Sequence, residues 1–147
     1  MPSSPAPSLT LTLVFAGTLM ATLLIRFWLA SRQIRHVAQY RNAVPAAFAE
    51  KISLDAHQKA ADYTITKTRF GLLELALGAA VLLGWTLLGG LDALNHSLMD
   101  WLGGGMIQQL TLIAGFALIS GLIDLPLTLY QTFVIEERFG FNKITAK

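Results

Sequence analysis

Residues Leu9–Ile25 read LTLTLVFAGTLMATLLI, without one charged side chain. Together with Arg26-Phe27-Trp28-Leu29-Ala30 they form a stretch about 33 Å long as a helix, close to the thickness of a bilayer core. A cleaved signal peptide is the rival reading. It calls for a basic start and small residues before a cleavage site. Met1–Ser8 carries no charge, and Arg26, Phe27 and Trp28 follow the apolar run, so the stretch is read as a membrane span. Two further stretches repeat the pattern, at about 70–91 and 106–130. The composition agrees, with 54% hydrophobic and only 14% charged residues, where soluble domains carry about a quarter charged. The expected fold is all-α and integral to the membrane. It has three transmembrane helices, at about 9–30, 70–91 and 106–130, after a disordered tail over 1–8. A cytoplasmic segment over 31–69 separates the first two spans.

The charges orient these spans. Of the 11 Lys and Arg residues, eight lie between Arg26 and Arg69, and the others are Arg138, Lys143 and Lys147. The loop from Asp92 to Gly105 has Asp92 and Asp100 but no Lys or Arg. The positive-inside rule then puts the amino terminus outside and the carboxyl terminus in the cytoplasm. Trp28, Tyr130 and Phe133 are expected at the inner interface and Trp101 at the outer one. A bacterial inner membrane is the expected location. The net charge of +2 gives no sign of nucleic acid as a partner, and the absence of cysteine excludes disulfides.

Between the first two spans, Ile34, Val37, Arg41 and Val44 recur at helical spacing, so the first helix is expected to run on to Pro45. Ser53 is a candidate N-cap for a second helix, with Leu54, Ala61, Ile65 and Leu72 on one face. The segment thus reads as a helical hairpin rising from the membrane, with an interfacial pair of amphipathic helices as the alternative. The outer loop, with Gly89-Gly90 and Gly103-Gly104-Gly105, is expected to turn with little side-chain packing. Gly17 with Ala21, Ala76 with Ala80 and Gly84, and Ala117 with Gly121 have the spacing that permits close helix approach in lipid.

The chemistry legible here is sparse. His36, His57 and His96 stand in no HExxH, and there is no GxSxG elbow, P-loop or dinucleotide fingerprint. No catalytic residue, metal ligand or cofactor is assigned within the chain. Glu74 and Asp124 are the intramembrane acids, and such residues are costly in hydrocarbon. Snorkelling to the inner boundary competes with function for Glu74. For Asp124, just ahead of Pro126, a structural hydrogen bond to a neighbouring helix is favoured over catalysis.

Two segments are more specific. One runs Arg32-Gln33-Ile34-Arg35-His36-Val37 to Val44-Pro45, then Ile52-Ser53-Leu54 and His57-Gln58-Lys59-Ala60-Ala61-Asp62-Tyr63-Thr64. The other runs Leu125-Pro126-Leu127-Thr128-Leu129-Tyr130, then Thr132-Phe133-Val134-Ile135-Glu136-Glu137-Arg138-Phe139-Gly140-Phe141-Asn142-Lys143. With Trp85-Thr86 and Gly89-Gly90-Leu91 in order between them, they resemble the amino-terminal membrane region of the CAAX prenyl protease 1 family, over Arg32 to Lys147. Leu127 stands where an aromatic is expected. The resemblance implies an integral membrane zinc metalloendopeptidase, with its zinc site built from HExxH and a downstream glutamate. Eukaryotic members trim prenylated CAAX proteins. This sequence reaches Lys147 without that motif, so the expectation is a truncated or split form, inactive alone. Zinc belongs to the complete enzyme, and the expected partners are the bilayer, further membrane helices and a catalytic region. Glu136, Glu137, Phe139, Gly140, Phe141 and Asn142 are read as a docking surface for that region, since an exposed Phe139 and Phe141 would otherwise waste apolar surface. A solvated charge pair is the plainer reading of Glu136 and Glu137. The competing function is a stand-alone membrane adaptor without catalysis.

Overall fold

The computed structural model describes residues 6–141, which are helical almost throughout and contain no strand. Four helices follow in order: α1 (Ala6–Tyr40), α2 (Leu54–Thr86), α3 (Gly90–Leu102) and α4 (Met106–Tyr130). A short 3-10 turn, Ala46–Phe48, lies between α1 and α2, and a π-helical turn, Gln131–Glu136, follows α4. Three helical stretches are long and apolar enough to cross a membrane: Leu9–Tyr40, Leu54–Thr86 and Met106–Glu136. The protein is an all-helical, multi-pass membrane protein. At 35 residues, α1 would extend about 52 Å, well beyond a bilayer core. It begins at Ala6, inside the stretch expected as a disordered tail.

Hydroxyls within the helices are satisfied locally. Thr22, Thr64, Thr68, Thr86, Thr111 and Thr128 each donate to the carbonyl four residues back, at 2.6–3.2 Å. That arrangement suits a span, because hydrocarbon offers polar groups no alternative partner. The apolar side chains are largely exposed, Leu11 at 71% and Leu118 at 65%. Burial from water is therefore not what holds these helices, and close packing and internal hydrogen bonds carry more of the load.

The chain forms two compact units that meet within α2, one up to Leu75 and one from Ala76. In the first, α1 ends at Tyr40, four residues short of the expected Val44. The residues after it are drawn into side-chain bonds with α2, which compete with continuing the helix. Ser53 caps α2 as its residue type suggests: its Oγ accepts the Ala56 N–H at 3.2 Å and its carbonyl the His57 N–H at 3.0 Å.

In the second unit, the segment between α2 and α4 is not the loosely packed turn expected. It contains α3, and α3 packs on α4. Leu91, Leu94, Leu98 and Leu102 recur on one face and Asp92, His96 and Asp100 on the other. The glycines punctuate the helix ends instead: Gly89 at φ 79° precedes α3 and Gly103 at φ 71° follows it. Leu94 meets Gly115 of α4, where an added Cβ would lie 3.6 Å from it. By contrast, an added Cβ at Gly84 or Gly121, or at Gly17 in the first unit, would meet nothing, while one at Gly90 would lie 2.8 Å from the Gly84 carbonyl, so the tightest glycine approach in this unit is at the start of α3.

Candidate functional site

The two family-like segments build two structured corners. The first is the hairpin tip. Arg41 forks onto Asp62, with Nε donating to Oδ1 and Nη2 to Oδ2, both at 2.7 Å. These hydrogen bonds raise the guanidinium pKa above its already high ordinary value. Asn42 Oδ1 accepts from Gln58 Nε2 at 2.9 Å. The His57 Nε2 lies 3.0 Å from the Tyr40 carbonyl, so it donates to the open carbonyl end of α1. Beside this clamp lies an open, mostly apolar pocket of about 280 Å³, lined by His36, Val37, Tyr40, His57, Ala60, Ala61 and Thr64. The ion pair itself is half-open to solvent, with side-chain exposures of 36% and 43%. Sequence reasoning placed Arg41 on an apolar face. Asp62 as its partner, 21 residues on, was missed, although both residues stand in the segment quoted for the resemblance.

The second corner is the end of the α4 stretch. Pro126 has no N–H to donate, yet the helix continues through it to Tyr130. At Gln131 the geometry widens into the π turn, and the Gln131 N–H is shared between the carbonyls of Leu127 and Thr128. Such widened turns are rare and recur at functional sites. Within it Ile135 is buried, at 4% exposure. The helix then stops in a Schellman arrangement. The Phe141 N–H donates to Glu136 O at 2.8 Å, the Gly140 N–H to Glu137 O at 2.9 Å, and Gly140 takes φ 75°. This explains the E-E-x-F-G-F wording, for which sequence alone offers no reason. Two glutamate carbonyls are closed off, and the residue between the phenylalanines must adopt a left-handed backbone, which glycine does without strain.

The expected docking residues therefore divide. Phe139 is buried at 8% exposure and belongs to the helix end, which corrects its reading as an exposed partner of Phe141. Phe141 is 54% exposed. Glu136 is half-buried and Glu137 exposed. Asn142 lies outside the described residues. Glu74 is half-buried in α2 and Asp124 exposed on α4, and neither side chain has a hydrogen-bond or ion-pair partner among the described residues. The structural hydrogen bond expected of Asp124 is thus not made there. No three His, Asp or Glu side chains come together as metal ligands among the described residues. A zinc ion does not fit there, and no chemical step is assigned to one.

Helix α2 meets α4 near its end. Trp85 Nε1 donates to Ser120 Oγ at 3.1 Å, and the Trp85 and Phe116 rings stand edge to face at 5.1 Å. Among the described residues one polar side chain is buried, Gln108 at 5% exposure, and its Nε2 donates to Asn95 Oδ1 of α3 at 2.6 Å.

These helices, bent back through a clamped hairpin and ended by a glycine-stopped turn, define the membrane portion of a multi-pass protein. The chain belongs to the family described as "CAAX prenyl protease N-terminal, five membrane helices", whose profile matches residues 33–147. It is 30% identical to a probable CAAX prenyl protease 1 of Schizosaccharomyces pombe, over 96% of this chain and 32% of the relative. It is 32% identical to a CAAX prenyl protease 1 homolog of Mus musculus, over 90% of this chain and 30% of the relative. The crystal structure of S. mikatae Ste24p superposes with a TM-score of 0.79 at 25% identity, covering 91% of this chain and 32% of that one. The chain thus spans about a third of the length of the relatives it matches.

Proposed function

We propose that these residues form the membrane-embedded amino-terminal part of a zinc metalloendopeptidase. It would hydrolyse peptide bonds at or near the membrane, in CAAX-type processing or membrane-protein proteolysis. Zinc ligands and catalytic groups would come from outside these 147 residues. The observation that carries this reading is that both family segments are built into defined corners, one clamped by Arg41 and Asp62, the other stopped at Gly140. Rigid corners of this kind suit a scaffold that positions a separate catalytic region. Phe141, exposed beside the buried Phe139, is the contact offered to that region, with Glu137 beside it.

The test is reconstitution. The purified chain is expected to bind no stoichiometric zinc by elemental mass spectrometry and to cleave no peptide. Co-expression with a downstream family segment bearing HExxH is expected to restore both. One equivalent of zinc on the chain alone would sink the reading. A well-inserted downstream segment that neither associates nor gains activity would favour the adaptor instead.

Orientation is part of the proposal: hairpin and carboxyl end in the cytoplasm, α3 outside, in a bacterial inner membrane, although the relatives named above are eukaryotic. Cysteines substituted at Ser4, Asn95 and Asn142 would be probed with an impermeant reagent on spheroplasts. Labelling is expected at the first two only, and labelling at Asn142 reverses the orientation.

A further inference from the structure

We propose that a groove on α1 beside the hairpin holds the headgroup of an anionic phospholipid, with Arg32 and Arg35 taking its phosphate. An open groove of about 560 Å³ is lined there by Leu29, Arg32, Gln33, Arg35, His36 and Gln39. These positions recur at three- and four-residue intervals and so share one side of the helix. The groove adjoins the hairpin side of the helix through His36, which lines both; Val37 and Tyr40 line the hairpin pocket, and Arg41, just past the helix end, is taken by Asp62.

Three observations point to an anionic lipid. First, the groove has excess positive charge. No Asp or Glu occurs between Arg26 and Ala49. Arg32 and Arg35 have no acidic partner among the described residues. The Arg32 guanidinium instead lies over the Trp28 ring at 5.8 Å. Second, a guanidinium presents paired N–H donors that match phosphate oxygens in a fork. Third, the groove is graded along the helix. Leu29 lies at the apolar end beside Trp28, where the first span finishes, and the arginines follow about one turn further on. An acyl chain followed by a phosphate has the same order. A zwitterionic lipid brings its own ammonium and gains less from two unneutralised arginines, and free phosphate makes no use of the apolar end. The inference holds whichever leaflet the groove faces.

The test uses the 147-residue chain in neutral detergent, offered equal amounts of phosphatidylglycerol and phosphatidylcholine, with bound lipid counted by native mass spectrometry. Basic residues near a membrane surface contribute roughly fivefold each, so a preference for phosphatidylglycerol of about twenty-five-fold is expected from two. It should fall to near parity in Arg32→Gln with Arg35→Gln. It should fall only in part in Arg32→Lys with Arg35→Lys, which keeps the charge, loses the fork, and guards against misfolding of the glutamine variant. Lys51→Gln with Lys59→Gln removes equal charge at the hairpin's far end and should leave the preference intact. An equal loss in that control overturns the proposal. So does displacement of the bound lipid by inorganic phosphate, or parity in the unaltered chain.

Discussion

The hairpin tip and the end of the α4 stretch both turn the chain, but by opposite means. At the tip, helix α1 ends because side chains reach across to α2: Arg41 to Asp62, Asn42 to Gln58, His57 to the Tyr40 carbonyl. At the other corner the backbone closes on itself, with Phe141 and Gly140 donating to the two glutamate carbonyls, while Phe139 and Ile135 are buried. The first corner is electrostatic and half-exposed, so salt and single charges act on it. The second is steric and conformational, so volume and φ act on it. A segment's family-like wording therefore does not say what kind of force its residues carry.

The comparison is broken most sharply at the phenylalanines. Phe139→Ala is expected to destabilise the chain by about 3 kcal/mol in detergent unfolding, because it empties a buried site. Phe141→Ala should cost less than about 0.5 kcal/mol while weakening association with a downstream catalytic segment. Equal losses of stability would mean that the two rings share one structural role. Next in size is Gly140→Ala, expected to cost about 1–2 kcal/mol, because φ 75° is strained for a residue with a Cβ. Gly121→Ala, where the added Cβ meets nothing, should be neutral or stabilising in the same assay. Smallest is Asp62→Asn. It should speed amide exchange in the first turns of α2 while leaving the α4 end unchanged. The difference from the unaltered chain should shrink as salt rises, since the pair is half-exposed. An effect indifferent to salt would argue for packing, not charge.

Much of the fold could be read in advance because a bilayer writes it in long, uncharged runs. Leu9–Ile25 needs no partner to be recognised, and Ser53 carries its capping chemistry in its own side chain. Helix α3 was hidden for the opposite reason. At 13 residues it is too short to be stable alone, and its apolar face has meaning only against α4. The glycines around it looked like the content of the loop and turned out to be its punctuation. The π turn leaves no mark in periodicity, since one widened turn shifts the pattern by a single residue. At the candidate site, Glu136, Glu137 and Gly140 are read from sequence as part of one docking surface, and the structure ties their backbones together in a helix stop. Their role was not legible, because a Schellman stop is a backbone arrangement and Phe139 and Phe141 look alike until burial separates them.

The hydrogen bond between Gln108 and Asn95 also bears on how the protein is made. An amide left unpaired as α4 moves into hydrocarbon carries a penalty of about 1–3 kcal/mol. The partner that removes it sits on α3, which is synthesised just before α4. In chain order, then, the partner of the one polar side chain buried among the described residues precedes the helix that carries it. Membrane insertion of this span is then best viewed as the delivery of a helical pair, joined through Gly103-Gly104-Gly105.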